Sequence, residues 1–129
     1  MNTDKDIELN SITEKIIGAA YRVSNALGCG MFENVYENAM VVDLEKQGLH
    51  VEQQVRFKVY YENVEVGEYI ADLVVENKVL VELKAVSDLA SIHSAQCINM
   101  LAITGLPVCL LINFGKPRIE IERFKGRKR

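Results

Sequence analysis

Hydrophobic residues in the first third of the chain recur at the spacing of amphipathic helices. Ser11–Glu14 fits a capping box, and the apolar residues after it recur every three or four positions up to Gly28, which predicts a first helix between these points. A second helical pattern runs from Phe32 to Gln47, and Gly48 follows it where a left-handed residue commonly ends a helix. Two consecutive helices are therefore predicted.

The hydrophobic pattern changes beyond Val51. Up to Leu83 the apolar residues alternate with a period of about two and are enriched in β-branched and aromatic types, which is typical of strands. Turn-like residues interrupt the alternation at Glu62-Asn63 and at Glu76-Asn77-Lys78. Three strands in an antiparallel meander are predicted.

The last third of the chain combines one helical and two strand patterns. Helical spacing returns from Ser91 to Thr104, and Gly105 stops it. Two more strands are predicted at Val108–Asn113 and Arg118–Phe124. The predicted element order is ααβββαββ, that of an α/β domain.

Length and composition favour one domain. With 129 residues, 49% of them hydrophobic, the chain can bury one ordinary core. Its longest apolar runs are strand-sized, well short of the ~20 residues of a membrane-spanning helix, and its N-terminus lacks the features of a secretory signal. We therefore expect a cytoplasmic protein with no membrane partner and a single domain over residues 1–129. The cysteines, Cys29, Cys97 and Cys109, form no CxxC pair and are interpreted as reduced thiols, two of them in the core.

Charge is distributed unevenly along the chain. The formal net charge of −3 argues against strong non-specific binding to nucleic acid, because such binding comes from cationic side chains. Basic residues are nevertheless concentrated in a C-terminal tail at residues 123–129. The tail is either a solvated terminus or an arm that contacts phosphates, and the sequence leaves both interpretations open.

The second and third predicted strands carry acidic residues in an apolar setting. If their turn is Glu76–Lys78, Asp72 lies opposite Glu82 and Ile70 lies opposite Lys84, all on one face of the sheet. Carboxylates opposed in this way repel each other, and burial makes the repulsion more costly. A divalent cation between them would compensate, with Lys84 as a further positive group. Strand-end carboxylates are usually just solvated, so the prediction depends on the apolar surroundings and on the turn that places the two carboxylates opposite each other, rather than on the spacing alone.

With these motifs the chain resembles the GxxExxY proteins of the PD-(D/E)xK nuclease superfamily, roughly from Ile12 to Arg123. The residues that carry the resemblance are Gly30-Met31-Phe32-Glu33-Asn34-Val35-Tyr36, Asp72 with Glu82-Leu83-Lys84 after nine residues, Gln96, and Asn113-Phe114-Gly115. The resemblance implies a restriction-endonuclease-like core, in which helices flank a mixed central sheet. Each motif is short, but their joint order is specific.

The resemblance also implies roles for individual residues. Asp72 and Glu82 resemble metal-binding carboxylates, with the backbone carbonyl of Leu83 as a further ligand. Lys84 resembles the residue that orients or activates the attacking water. Glu33 resembles the acidic residue that completes such a cluster, through a second metal or a bound water.

The remaining positions of interest lie at the second and third predicted helices. Gln96 resembles a helix glutamine near the scissile phosphate in an exonuclease-like branch, but that branch usually has a tyrosine four residues later, where this chain has Met100. Gly30 and Tyr36 are most simply the start of the second helix and a core residue whose hydroxyl lies at the edge. His93 is interpreted as an exposed or capping histidine rather than a catalytic base.

The function implied is a nuclease that hydrolyses phosphodiester bonds using Mg²⁺ or Mn²⁺, and the nucleic-acid partner that we expect is DNA rather than RNA. A homodimer is compatible with these features. Two other functions stay open. One is a non-catalytic nucleic-acid-binding or adaptor module that keeps the nuclease fold, favoured by the acidic net charge and by Met100. The other is hydrolysis of a small phosphate-containing molecule.

Overall fold

The order of helices and strands is the predicted one. The computed structural model describes residues 3–126. Its helices and strands, in chain order, are α1 (Asp4–Leu27), α2 (Glu33–Lys46), β1 (Val51–Tyr61), β2 (Val64–Val75), β3 (Val79–Lys84), α3 (Ser91–Thr104), β4 (Val108–Asn113) and β5 (Glu120–Lys125). The prediction of an α/β domain with the order ααβββαββ is confirmed.

The strands form one mixed sheet between two helical layers. Their spatial order is β1-β2-β3-β4-β5, in which β3 and β4 are parallel and the other neighbours antiparallel. Helix α3 connects the parallel pair and covers one face of the sheet, where Cys97 and Cys109 are buried as predicted. Helices α1 and α2 cover the other face. Both faces of β3 and β4 are therefore buried, which explains their continuous apolar sequences.

Two predicted boundaries are wrong. Helix α1 begins seven residues before Ser11, at Asp4, and its capping box is formed by Thr3 and Asp6, whose side chains each accept the other's backbone N–H. The first turns are largely exposed and so lack the apolar stripe that marks a helix in a sequence. Strand β5 begins at Glu120 rather than Arg118. The end of α1 is as predicted, because Gly28 has a φ of 71°.

Part of the predicted basic tail is folded. Arg123 and Lys125 belong to β5. The guanidinium group of Arg123 donates hydrogen bonds to Asn10 Oδ1 at 3.0 Å and to Thr13 Oγ1 at 3.4 Å, which anchors β5 to α1. The cations at positions 127–129 lie outside the described residues. Within residues 3–126, no helix combines the length and the hydrophobicity needed to cross a membrane.

Candidate active site

The hairpin of β2 and β3 has the predicted register near its turn. Val74 pairs with Leu80, as predicted. Moving away from the turn, the last pair of the ladder is Leu73 with Val81. Asp72 and Glu82 lie immediately beyond that point. The predicted opposition of Ile70 and Lys84 is wrong for the described residues, because the two strands have separated before reaching them. Polar groups can enter the opening between the strands.

The separation coincides with a break in the alternation of β2. Leu73 packs in the core against α1 and α2, whereas Ala71 and Val74 both pack on the α3 side. A regular strand would place Ala71 and Leu73 on the same face. The opposing residue of β1, Gln54, has a φ of 51° and lies unpaired between two regular pairs. Asp72 therefore lies where both β1 and β2 depart from regular strand geometry.

Asp72 and Glu82 interact through the strand separation. The backbone N–H of Leu83 donates to Asp72 Oδ2 at 2.8 Å, and the backbone N–H of Asp72 donates to Glu82 Oε1 at 3.3 Å. Burial raises the pKa of Glu82 to about 8, with a further contribution from the negative charge of Asp72. Burial also raises the pKa of Asp72. The structure thus brings the two predicted carboxyl groups together at a position that disfavours two negative charges.

Lys84 and Glu33 face the same region. The carboxyl of Glu33 comes from the first turn of α2; partial burial raises its pKa, and the positive charge of Lys84 opposes that shift. The charge of Lys84 likewise opposes the rise in the pKa of Glu82 and of Asp72. Within residues 3–126 no direct ion pair holds the ammonium group of Lys84. Lys84 therefore interacts electrostatically with the carboxyl groups of Glu33, Asp72 and Glu82 without forming a direct ion pair with any of them.

The position of Glu33 is fixed by the loop before α2. The fully buried Tyr36 donates its hydroxyl hydrogen to the carbonyl of Gly28 and accepts the N–H of Met31 at 3.2 Å, closing the loop onto its own helix. Its ring stacks on Phe114, with centroids 4.5 Å apart. Gly30, within the loop, has a φ of 102°, which only glycine adopts easily. The interpretation of Tyr36 as a core residue is confirmed, whereas Gly30 lies in the loop before α2 rather than at its start, because the helix begins at Glu33.

The position of Lys84 is fixed by hydrogen bonds from the last residue of β4 and the two residues after it. Asn113 is fully buried; its Oδ1 accepts the N–H groups of Val86 and Gly115, both at 3.0 Å, and its Nδ2 donates to the carbonyl of Val86 at 2.9 Å. The N–H of Phe114 donates to the carbonyl of Lys84 at 2.8 Å. A Cβ on Gly115 would lie 2.1 Å from the Val86 oxygen, so only glycine fits there. These residues hold the chain directly after Lys84.

The other predicted positions lie on α3. Gln96 is exposed and forms no hydrogen bond with the described residues, so no contact links it to the carboxyl pair. Met100 is buried in the core at 2% exposure and cannot contact a phosphate. His93 accepts the N–H of Ala90 at the start of α3. The interpretation of His93 as a capping residue is confirmed.

Sequence reasoning missed three residues of the site. Glu37 is only 9% exposed and accepts hydrogen bonds from the side chains of Gln53 and Gln54. Gln54 also donates to Asp72. A signal for Glu37 was present, because it follows Glu33 by one helical turn and so shares its face. No comparable signal marked the two glutamines.

The donor set is suited to a hard divalent cation. Among residues 3–126, no three side chains of His, Cys, Asp or Glu are grouped so that they could hold a metal ion by themselves. Mg²⁺ does not require such a group, because it keeps several waters and is commonly bound by one or two carboxylates together with substrate phosphate. The adjacent carboxyl groups of Asp72 and Glu82 meet that requirement.

In metal-free buffer, the melting temperature is expected to fall as the pH is raised. Glu82 has a pKa of about 8 in the folded protein, compared with an ordinary value of 4.5. Between these values the folded protein binds more protons than the unfolded chain, so the stability from this group is fully present below the lower value and lost as pH rises through the upper one. Thermal melts in EDTA across this range provide the measurement. Glu82→Gln, which is always neutral, should flatten the fall; an unchanged slope would exclude Glu82 as its cause.

Comparison with known protein families agrees with this geometry. A sequence model of the PD-(D/E)XK nuclease superfamily matches residues 10–124, which include the candidate site and all of the sheet except the last residue of β5. Neither the curated proteins nor the solved structures gave a match. The mixed sheet and the helix order are consistent with the restriction-endonuclease-like core that the sequence motifs implied. The chain therefore belongs to the PD-(D/E)XK nuclease superfamily.

Proposed function

We propose that this protein is a metal-dependent nuclease of the GxxExxY type that hydrolyses phosphodiester bonds, in DNA rather than RNA, with Mg²⁺ or Mn²⁺. The observation that carries the proposal is the meeting of Asp72 and Glu82 where β2 and β3 separate, beside Lys84, whose ammonium group forms no direct ion pair within residues 3–126. Two partly buried carboxyl groups next to each other destabilise the fold when ionised, and a bound cation removes that penalty. Superfamily membership supports the same assignment.

Each residue has a defined task in this proposal. Asp72, Glu82 and the carbonyl of Leu83 would hold the metal, which supplies polarisation of the phosphoryl group and a more acidic water. Lys84 orients the attacking water and offsets the charge that grows on the phosphate. Glu33 acts through a water molecule, since within residues 3–126 it does not join Asp72 and Glu82 in a three-residue metal group. Gln96, exposed on α3, is available to contact the substrate phosphate.

Mn²⁺ is expected to raise the melting temperature of the wild type but not of Asp72→Asn. A ligand that binds only the folded state stabilises it by mass action, by about 2.7 kcal/mol at a hundredfold excess over Kd, or roughly 10 °C for a domain of this size. Thermal melts with increasing Mn²⁺ at constant ionic strength provide the measurement. Asp88→Asn removes an exposed carboxylate that pairs with Lys116, so it should respond like the wild type. Equal shifts in the wild type and Asp72→Asn would place the metal elsewhere.

The competing function is a nucleic-acid-binding or adaptor module that keeps the fold without catalysis. Its support is the net charge of −3 and the presence of a buried methionine, Met100, at the position where a phosphate-contacting helix would have a tyrosine. Nuclease assays on single-stranded, duplex and branched substrates, each with and without Mg²⁺ or Mn²⁺, separate the two functions. Binding without metal-dependent cleavage would favour the module.

A further inference from the structure

Two consecutive residues of β1 reach the same carboxylate on α2. Gln53 Nε2 donates to Glu37 Oε2 at 2.9 Å, and Gln54 Nε2 donates to Glu37 Oε1 at 2.8 Å. Successive side chains of a regular strand point to opposite faces of the sheet, so one carboxylate could not accept from both. The φ of 51° at Gln54 breaks that alternation and turns both amides toward α2. The backbone irregularity and the double hydrogen bond are therefore one feature.

Gln54 also reaches the candidate metal site. Its Nε2 lies 3.4 Å from Asp72 Oδ1, so a single amide nitrogen lies between two carboxylates. An amide NH₂ group has two hydrogens and no acceptor, which suits it to bridge two acceptor groups. Glu37 is held firmly, because it is 91% buried and also accepts from Gln53. The anchored carboxylate of Glu37 thus fixes the amide of Gln54, which in turn contacts Asp72.

The contacts to Asp72 constrain its carboxylate from two directions. Oδ1 accepts from the Gln54 side chain, and Oδ2 accepts from the backbone N–H of Leu83 at 2.8 Å. With a donor on each oxygen, rotation of the carboxylate is restricted. An ionised carboxylate offers about four lone-pair positions, so each oxygen still has one free for a cation.

The conformation of Gln54 is unfavourable in itself. A left-handed backbone is uncommon for a residue other than glycine, asparagine or aspartate, and such residues persist only where the surroundings hold them. The hydrogen bonds to Glu37 and Asp72 are the interactions that hold this one. Strain of this kind is concentrated at functional sites, where it fixes geometry in advance.

We propose that Glu37 and Gln54 form a positioning pair that holds Asp72 in the orientation required to bind the divalent metal. The proposal rests on the proposed function, because it assumes that Asp72 is a metal ligand. Neither Glu37 nor Gln54 contacts the metal or the reacting atoms; both act through Asp72. Residues that orient metal ligands in this way commonly change metal affinity by about 10- to 100-fold when they are replaced.

Gln54→Gly is the test variant, because glycine accepts a φ of 51° without strain and removes only the amide side chain. Mn²⁺ binding by isothermal titration calorimetry, in the absence of nucleic acid, is expected to weaken by about 10- to 100-fold. The melting temperature of the metal-free protein should change little, because relief of the left-handed backbone strain offsets the loss of the hydrogen bond to Glu37. A loss of affinity without a loss of stability is not what a purely structural role would produce.

Gln53→Ala is the matched control. It removes an adjacent glutamine that also binds Glu37 but makes no hydrogen bond to Asp72. Its affinity for Mn²⁺ should stay closer to that of the wild type than to that of Gln54→Gly. Wild-type affinity in Gln54→Gly, or equal losses in both variants, would overturn the positioning pair alone. A wild type whose Mn²⁺ binding is absent, or survives in Asp72→Asn, would overturn the proposed function as well.

Discussion

Lys84→Ala is expected to lower kcat by about two to three orders of magnitude, while substrate affinity changes little. Removal of a preorganised group that stabilises charge in the transition state commonly has this cost. Lys84 is placed for such a role, since it lies beside Asp72, Glu82 and Glu33 and is tied by no direct ion pair within residues 3–126. An interaction made mainly in the transition state affects kcat rather than KM. Single-turnover cleavage measures the rate of the chemical step, and fluorescence anisotropy measures the affinity for the substrate.

Lys78→Ala provides the matched control. Lys78 lies at the other end of the same hairpin, about 20 Å from Lys84 along β3, and pairs with Glu8 on α1. Its replacement removes the same charge from the same part of the fold, so kcat should remain close to the wild-type value. A similar loss in both variants would indicate a general effect of net charge. Wild-type kcat in Lys84→Ala would remove Lys84 from the mechanism.

The sequence predicted the hairpin register because the turn residues determine it. Glu76 and Asn77 have φ values of 53° and 55°, so the turn that they form sets which residues of β2 and β3 are opposed. The predicted pairs next to the turn are correct. The prediction failed further along, at Ile70 and Lys84, since it assumed that β2 continues as a regular strand. Register propagates from a turn only as far as the alternation of the strand is unbroken.

The left-handed backbone of Gln54 on β1 could not be predicted from local preferences. Glutamine does not favour a left-handed backbone, and nothing near Gln54 in the sequence indicates an irregular backbone there. The conformation results from tertiary contacts with Glu37 on α2 and Asp72 on β2. Such a departure from local preference is expected where function, rather than folding, determines the geometry.

The motif residues divide into groups with different tasks. Asp72, Glu82 and Lys84 provide charged groups, whereas Tyr36 and Asn113 are fully buried and provide hydrogen bonds to the backbone. The structural interpretation of Tyr36 could be made from its sequence, because a tyrosine at helical spacing is usually a core residue. The role of Asn113 could not, since two of its hydrogen bonds join it to Val86, which is 27 residues away in the sequence.

Asn113→Ala is expected to lower the free energy of unfolding by about 3–5 kcal/mol. The side chain satisfies both backbone groups of Val86 and the N–H of Gly115, and each buried group left without a partner costs about 1–3 kcal/mol. Since the total stability of a domain is about 5–15 kcal/mol, the melting temperature should fall by roughly 10–20 °C. Thermal and urea melts provide the measurement. Asn99→Ala removes an exposed asparagine from α3 and should change stability by less than about 0.5 kcal/mol.

Asn113→Asp tests whether the hydrogen bonds, rather than the volume of the side chain, explain this effect. Aspartate has almost the same shape, but an ionised carboxylate cannot donate to the carbonyl of Val86 or to Glu120 Oε1, both of which accept from Nδ2 in the wild type. The carboxyl should favour its neutral form in the fold, so its pKa should be raised. The stability of Asn113→Asp should therefore be highest at acidic pH and decrease as pH rises, relative to the wild type. If the variant instead matched the wild type at neutral pH, the donor hydrogen bonds of Asn113 would not be what secures the chain after Lys84.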